Sequence, residues 1–282
     1  MAKVAIVTDS AAEIPHDVAA AAGITVVPLI VSFGADEFRA GVDLSMDDFY
    51  ARLTAPGAPF PKTAACGPGD FQAAFERLLD GGAEAVVCVT VGSRLSATHR
   101  SAELARDAMA GRAVYVVDSD SACMGEGLLA LFAAESAARG DRAEDIAAAV
   151  KARVSDSRVL IALDTLEYLR RGGRISGAQA AIGSVLSVKP IITIADGLVQ
   201  TLDKPRTRTR ARARLLELLA DRPVERAWVL HSGVPEVEAF ADEVASLLGL
   251  PRSDVPVTRM GPSIAPHVGP GAVGAAVLLR ST

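Results

Sequence analysis

The stretch Ala85-Val-Val-Cys-Val-Thr-Val-Gly-Ser-Arg-Leu-Ser-Ala-Thr98 decides the fold class. Residues 85–91 are an unbroken apolar run, the pattern of a strand buried on both faces. The run breaks at Gly92 into a turn carrying Ser93, Ser96 and Thr98, and a helical pattern follows to residue 108. Such a turn gathers hydroxyls and free backbone N–H groups, which either receive an anion or cap the helix. The same strand, turn and helix recur on either side. Residues 4–7 form a β-branched run ending at Thr8-Asp9-Ser10, where Asp9 or Ser10 can cap a helix starting near Pro15. Residues 25–32 read as a strand placed at an edge or bend by Pro28. Ser45, followed three residues later by Asp48, caps a helix through Tyr50. A Pro- and Gly-rich loop over 55–61 delivers Lys62 to Asp70, and a helix then runs to residue 79. Residues 114–117 are a further strand. Gly125-Glu-Gly127 opens a helix that packs closely on the sheet, and is only a fragment of the dinucleotide-binding GxGxxG pattern. A helix over 145–154 follows. Four alternations of strand and helix predict a parallel sheet covered by helices on both faces.

Beyond about residue 155 the pattern changes. A strand over 159–163 and a helical turn over 166–169 lead into the basic glycine turn Arg170-Arg-Gly-Gly-Arg-Ile-Ser176. Residues 178–187, apolar and small, read as a helix. Strands over 190–194 and 198–201 flank Asp196-Gly197, a strong hairpin signal. Lys204 to Arg214 carries six basic residues and no acidic one, either a solvated helix face or a dock for an acidic surface. Strands over 227–230 and 255–259 enclose a helix over 236–248. The fold class is therefore α/β with two domains. The N-terminal domain, 1–155, is a parallel sheet with helices on both faces, and the C-terminal domain, 156–282, is a smaller mixed-sheet α/β domain.

The second domain ends on Gly261-Pro-Ser-Ile-Ala-Pro-His-Val-Gly-Pro-Gly-Ala-Val-Gly274, followed by an apolar strand over 272–279. Glycine permits close backbone approach and proline fixes φ, so this loop can hold the His267 imidazole in one place against a ligand. Taken alone, it reads more readily as a tight turn with a structurally satisfied histidine.

Composition narrows the function. Half the 282 residues are hydrophobic and only 4% are aromatic, which suits α/β layering over a β-sandwich. A net charge of −5 argues against a protein that coats nucleic acid or anionic membranes. No apolar run reaches the eighteen residues of a membrane span, and the N-terminus lacks the pattern of a signal peptide. Cys66, Cys88 and Cys123 form no CxxC pair, which fits a reducing cytoplasm. No GxxxxGK[ST] sequence is present to bind ATP, and no metal or cofactor is expected.

Together these motifs resemble the DegV family, the fatty-acid-binding proteins that serve bacterial fatty acid kinase. The similarity runs almost end to end. It includes Thr8-Asp9-Ser10, Lys62-Thr63 with Pro68-Gly69-Asp70-Phe71, and Ser93 with Leu95-Ser96 and Thr98. It continues through Asp118-Ser119, Met124-Gly-Glu-Gly127, Asp164-Thr-Leu-Glu-Tyr-Leu169, Gly172-Gly-Arg-Ile-Ser176, Lys189-Pro190 and Asp196-Gly197. Arg206-Thr207, His231-Ser-Gly233 and His267-Val-Gly-Pro-Gly-Ala272 complete it. The resemblance implies a long-chain fatty acid held in a hydrophobic tunnel between the two domains. Its carboxylate would meet Thr63, Ser93 or Ser96, and His267, and Arg206 would lie near the surface that docks the kinase. The chain would be a carrier without catalytic residues, presenting the carboxylate for phosphorylation to acyl-phosphate. Ala64 and Ala65 stand where the family has serine and glutamine, and Cys66 where it has proline. Ala97-Thr98-His99 replaces Gly-Thr-Tyr, and Val268 replaces threonine. Two other function classes compete. One is an enzyme using His267, either forming a covalent carbonyl adduct as in dihydroxyacetone kinase or acting as a hydrolase with Ser93 and Asp9. The other is a regulatory module that binds through the Arg206 to Arg214 face.

Overall fold

The computed structural model describes residues 3–175 and 188–280. The expected helix over 178–187 and the end of the basic turn at Ser176 lie outside the described residues. The first half of the chain runs β1 (Val4–Asp9), α1 (His16–Ala21), β2 (Ile24–Val27), β3 (Ile30–Phe33), β4 (Asp36–Arg39), α2 (Met46–Thr54) and β5 (Lys62–Ala64). It continues α3 (Pro68–Asp80), β6 (Ala85–Thr90), α4 (Thr98–Ala108), β7 (Val114–Asp118), α5 (Met124–Ala138) and α6 (Ala143–Arg153). The second half runs β8 (Ser157–Ala162), α7 (Glu167–Arg171), β9 (Ile191–Ala195), β10 (Leu198–Asp203), α8 (Arg208–Leu219), β11 (Val224–His231), α9 (Val237–Leu248), β12 (Val257–Arg259), α10 (Ala265–Val268) and β13 (Val273–Leu279).

The fold is α/β as the alternation predicts. A four-stranded parallel sheet has the order β2-β1-β6-β7. All six residues of β6 are buried, as expected of a central strand covered on both faces. The second sheet has the order β10-β9-β8-β13-β11-β12, antiparallel except for β11 with β12. In its β9–β10 hairpin, Asp196 and Gly197 both take positive φ (52° and 65°), the geometry of a type I′ turn. Leu160, Leu215, Val229, Phe240 and Val277 form a core between this sheet and the pair α8 and α9.

Its other face meets α5, which also packs on β1. Helix α5 is buried nearly all round because it serves both sheets. Gly125 makes the approach possible, since a Cβ there would stand 2.5 Å from Val159 Cγ2. One hydrophobic cluster consequently contains Ile6 and Val87 together with Val159, Trp228 and Leu278.

Three local expectations need correction. The single strand over 25–32 is two strands, β2 and β3, in different sheets. Pro28 has no N–H to continue the ladder, and the Leu29 N–H donates instead to Ser10 Oγ (2.9 Å). Beyond the loop over 55–61, Lys62–Ala64 contributes β5, a strand without a sequence signal, to a third, antiparallel sheet of order β4-β3-β5. Phe33, Phe49, Tyr50 and Ala265 pack together over that sheet and α2, so it reaches the loop that bears His267. The cap expected before Pro15 also differs. Asp9 caps the turn Ser10–Ala12, and α1 begins at His16 without a side-chain cap.

Candidate ligand-binding site

The turns after β1 and β6 are held by one buried carboxyl group. Asp9 Oδ1 accepts from the Ala11 N–H and Oδ2 from the Val91 N–H, both at 2.9 Å. Glu126 stands beside it, its Oε1 accepting from Thr8 Oγ1 (2.9 Å). Burial pushes the Asp9 carboxyl up to about 6, and burial with the nearby Asp9 charge pushes Glu126 well above its ordinary range. Two adjacent buried carboxyls cannot both ionise cheaply. Asp9, with two amide donors, is the one that carries the charge at neutral pH, and Glu126 keeps a proton.

Over these turns lies a narrow cavity of about 90 Å3, smaller than the roughly 300–1,000 Å3 typical of ligand pockets. Its wall is drawn from both halves of the chain: Leu29, Val91 and Leu95 from the first, Ile161, Ile192 and Val199 from the second. The lining is overwhelmingly apolar. Thr63, Ser96, Arg174 and His267 place polar groups on it.

Thr63 Oγ1 and His267 Nε2 are 3.0 Å apart. Thr63 sits on β5 opposite Val31, and His267 on the single turn of α10. His267 Nδ1 is buried without a partner among the described residues, and burial with the nearby Arg174 charge lowers the imidazole to about 4. The ring is therefore neutral at physiological pH. A buried N–H left unpaired is costlier than an unpaired lone pair, so the proton belongs on Nε2, which donates to Thr63 Oγ1. That leaves the Thr63 hydroxyl hydrogen free to donate onward. Gly172 and Gly269 make the arrangement possible: a Cβ at Gly172 would collide with the imidazole, and one at Gly269 with the Tyr168 ring.

Of the two candidate serines, Ser96 lines the cavity and Ser93 does not. Ser93 is exposed, and its N–H faces the Asp118 carboxylate at 3.1 Å. Ser96 Oγ is 2.9 Å from Thr98 Oγ1. Arg206 is exposed on the turn before α8 and makes no ion pair among the described residues. Its neighbours are less available than the basic run suggests. Arg208 pairs with Asp164, Arg212 with Glu243, and Arg214 with Asp203 and Glu217.

Arg174 escaped sequence reasoning as a site residue. It donates to Leu95 O (3.2 Å) and Gly172 O (2.8 Å) and so reaches from the second half to the turn after β6. The basic glycine turn marked the segment, but three arginines occur in it. Arg170 pairs with Glu167 at the surface and Arg171 lies over the Phe60 ring, which leaves Arg174 facing inward. Ser263, also on the wall, had no signal; its Oγ is 2.7 Å from Ser10 Oγ. Among the substituted positions, Val268 lines the cavity, Cys66 is buried against Val27 O, and His99 bonds Thr90.

No hydrolytic triad is assembled among the described residues. His267 Nε2 faces Thr63 and its Nδ1 meets no carboxylate, while Asp9 is engaged by two amides. No group of three or more His, Cys, Asp or Glu side chains could hold a metal ion among the described residues. No described helix is long and apolar enough to cross a membrane.

A model of the DegV family, described as uncharacterised proteins, matches residues 3–280. A DegV domain-containing protein of Mycobacterium tuberculosis is 40% identical over 282 residues, covering 97% of this chain and 96% of that protein. Two solved structures share the fold across nearly all of both chains. A DegV family protein from Thermus thermophilus, described for its fatty acid binding, has a TM-score of 0.90 at 33% identity, covering 98% of this chain and 99% of the other. DegV from Bacillus subtilis, a fatty acid binding protein, has a TM-score of 0.87 at 31% identity, with the same coverage.

Proposed function

The chain belongs to the DegV family, and on that premise we propose that it binds a long-chain fatty acid in the cavity between its two halves. The observation that carries this reading is the Thr63–His267 pair, a hydrogen-bonding group set into an otherwise apolar wall. The ligand lies between an N-terminal domain, 1–155, and a C-terminal domain, 156–282. A sixteen-carbon acyl chain has about fourteen methylenes, each worth roughly 0.8 kcal/mol on burial. The ceiling is about 11 kcal/mol, before association and ordering costs are deducted. The apolar wall supplies that contact.

The carboxylate requires donors, because a buried charge without them loses several kcal/mol of solvation. Thr63 donates its hydroxyl, oriented by the neutral His267 ring. Ser96 is a second hydroxyl and Arg174 a counter-charge. One carboxylate oxygen stays open to a separate fatty acid kinase, which supplies ATP. That oxygen attacks the terminal phosphorus, ADP leaves, and acyl-phosphate forms. Arg206 serves the docking surface. The chain is then a cytoplasmic carrier, with the chemistry residing in its partner.

Lipid extraction and mass spectrometry of the purified protein test the reading directly. Co-purified acyl chains, or saturable uptake of palmitate or oleate, are expected; the absence of both would end it. Thr63→Ala and His267→Ala are each expected to weaken the acid about tenfold or more, from a charged hydrogen bond of roughly 1.5–3 kcal/mol. The matching alcohol should lose far less. Equal losses for acid and alcohol would remove these residues from carboxylate recognition.

A further inference from the structure

The segment that follows His267 owes its shape to one residue. Ser232, only 1% exposed, stands just after β11 in the motif His231-Ser-Gly233. Its backbone N–H donates to Ala272 O (2.9 Å), and its carbonyl accepts from the Gly271 N–H (2.8 Å). Its hydroxyl donates to Gly269 O (2.6 Å) and accepts from the Ala272 N–H (2.8 Å). Four hydrogen bonds thus run from one serine into Gly269 through Ala272. Gly269 and Gly271 hold φ of 74° and 80°, a region glycine enters without restraint and leaves as easily. On the opposite side the segment meets the Tyr168 ring at Gly269 and the Asp164 carboxylate at Gly271. Packing limits it there, and besides the Gly269 N–H bond to Ala265 O (2.9 Å) its directional bonds come from Ser232.

We propose that Ser232 is the positioning residue of the carboxylate site: by clamping Gly269–Ala272 it fixes α10 and so aims His267 Nε2 at Thr63. The hydroxyl is needed in both of its roles. Alanine would leave the Gly269 carbonyl and the Ala272 N–H buried without that partner. Helix α10 is a single turn and has little rigidity of its own. Its C-terminal end is set by what holds Gly269. This role rests on the fatty-acid reading of the cavity.

Three measurements on the full chain test it. First, Ser232→Ala is expected to reduce the affinity ratio of palmitate over hexadecanol about tenfold. A merely structural role would weaken both ligands equally, and that result would overturn the proposal. Second, nitrogen NMR of His267 should show a single Nε2–H tautomer in the wild type and mixed tautomers in Ser232→Ala. An unchanged ring signal would likewise overturn it. Third, hydrogen exchange on the wild type requires no folded variant. The Gly271 and Ala272 amides should be protected before palmitate is added; exchange at unstructured rates until the ligand binds would mean there is no preformed clamp. If the wild type takes up neither palmitate nor oleate, the fatty-acid reading falls, while the NMR and exchange results still decide the clamp.

Discussion

At the scale of single residues, the site depends on space as much as on donors. Gly172 has an ordinary φ near −76°, so its lack of a side chain answers a packing need. A methyl there would collide with the His267 ring. Gly172→Ala is expected to lower palmitate affinity at least tenfold while shifting the melting temperature little, which titration and thermal unfolding would separate. Glu13 shows a different residue-scale effect. Its Oε2 accepts the Gly261 N–H (2.6 Å), its Oε1 is buried without a partner among the described residues, and burial raises it to about 8. The unfolded chain releases this proton near its ordinary value, while the folded chain keeps it. The stability Glu13 contributes is present at low pH and is lost as pH rises towards 8, at about 1.4 kcal/mol per unit. Glu13→Gln keeps an acceptor for Gly261 and removes the titration. Denaturant melts between pH 6.5 and 8 should therefore fall less steeply for the variant than for the wild type. Neither effect was legible in the sequence, because a glycine or a glutamate looks the same whether its surroundings are open or closed.

At the scale of elements, α8 shows how a charge run resolves into distinct roles. From Lys204 to Arg214 the sequence alternates basic residues with Thr, Ala or Pro, and read alone it is one basic face. In the fold, Arg208, Arg212 and Arg214 meet acidic partners, while Lys204, Arg206 and Arg210 stay exposed with no ion pair among the described residues. Arg206→Glu should leave thermal stability and palmitate affinity within error of wild type, since exposed unpaired charges contribute little. It should slow kinase-dependent acyl-phosphate formation several-fold, measured with the partner kinase at limiting concentration. An unchanged rate would remove Arg206 from the docking surface. The strands teach a related lesson. β6 and the β9–β10 hairpin were readable because burial and turn chemistry are local signals. The division of residues 25–32 into β2 and β3 was signalled only by Pro28. The pairing of β5 with β3 depends on a strand of three residues, too short to show a period.

At the scale of the whole molecule, the cavity draws its wall from both halves, and α5 packs on both sheets. A ligand in that place holds the halves together. At a free concentration of 100 times Kd it stabilises the folded state by about 2.7 kcal/mol, a rise of roughly 5 °C for a chain of this size. Calorimetry with oleate should show one transition moving upward. A shift confined to part of a split transition would mean that the acid is bound by one half only. The amino-acid sequence by itself determined the α/β class, the parallel sheet, the hairpin and the segments that carry the site, because periodicity and turn chemistry act over a few residues. Which side chains line the cavity was decided by the tertiary structure: Ser96 in place of Ser93, Arg174 among three arginines, and Thr63 against a histidine 204 positions away. Those choices depend on how distant loops pack over a shared core, and chain distance carries no signal of which groups that packing brings within 3 Å.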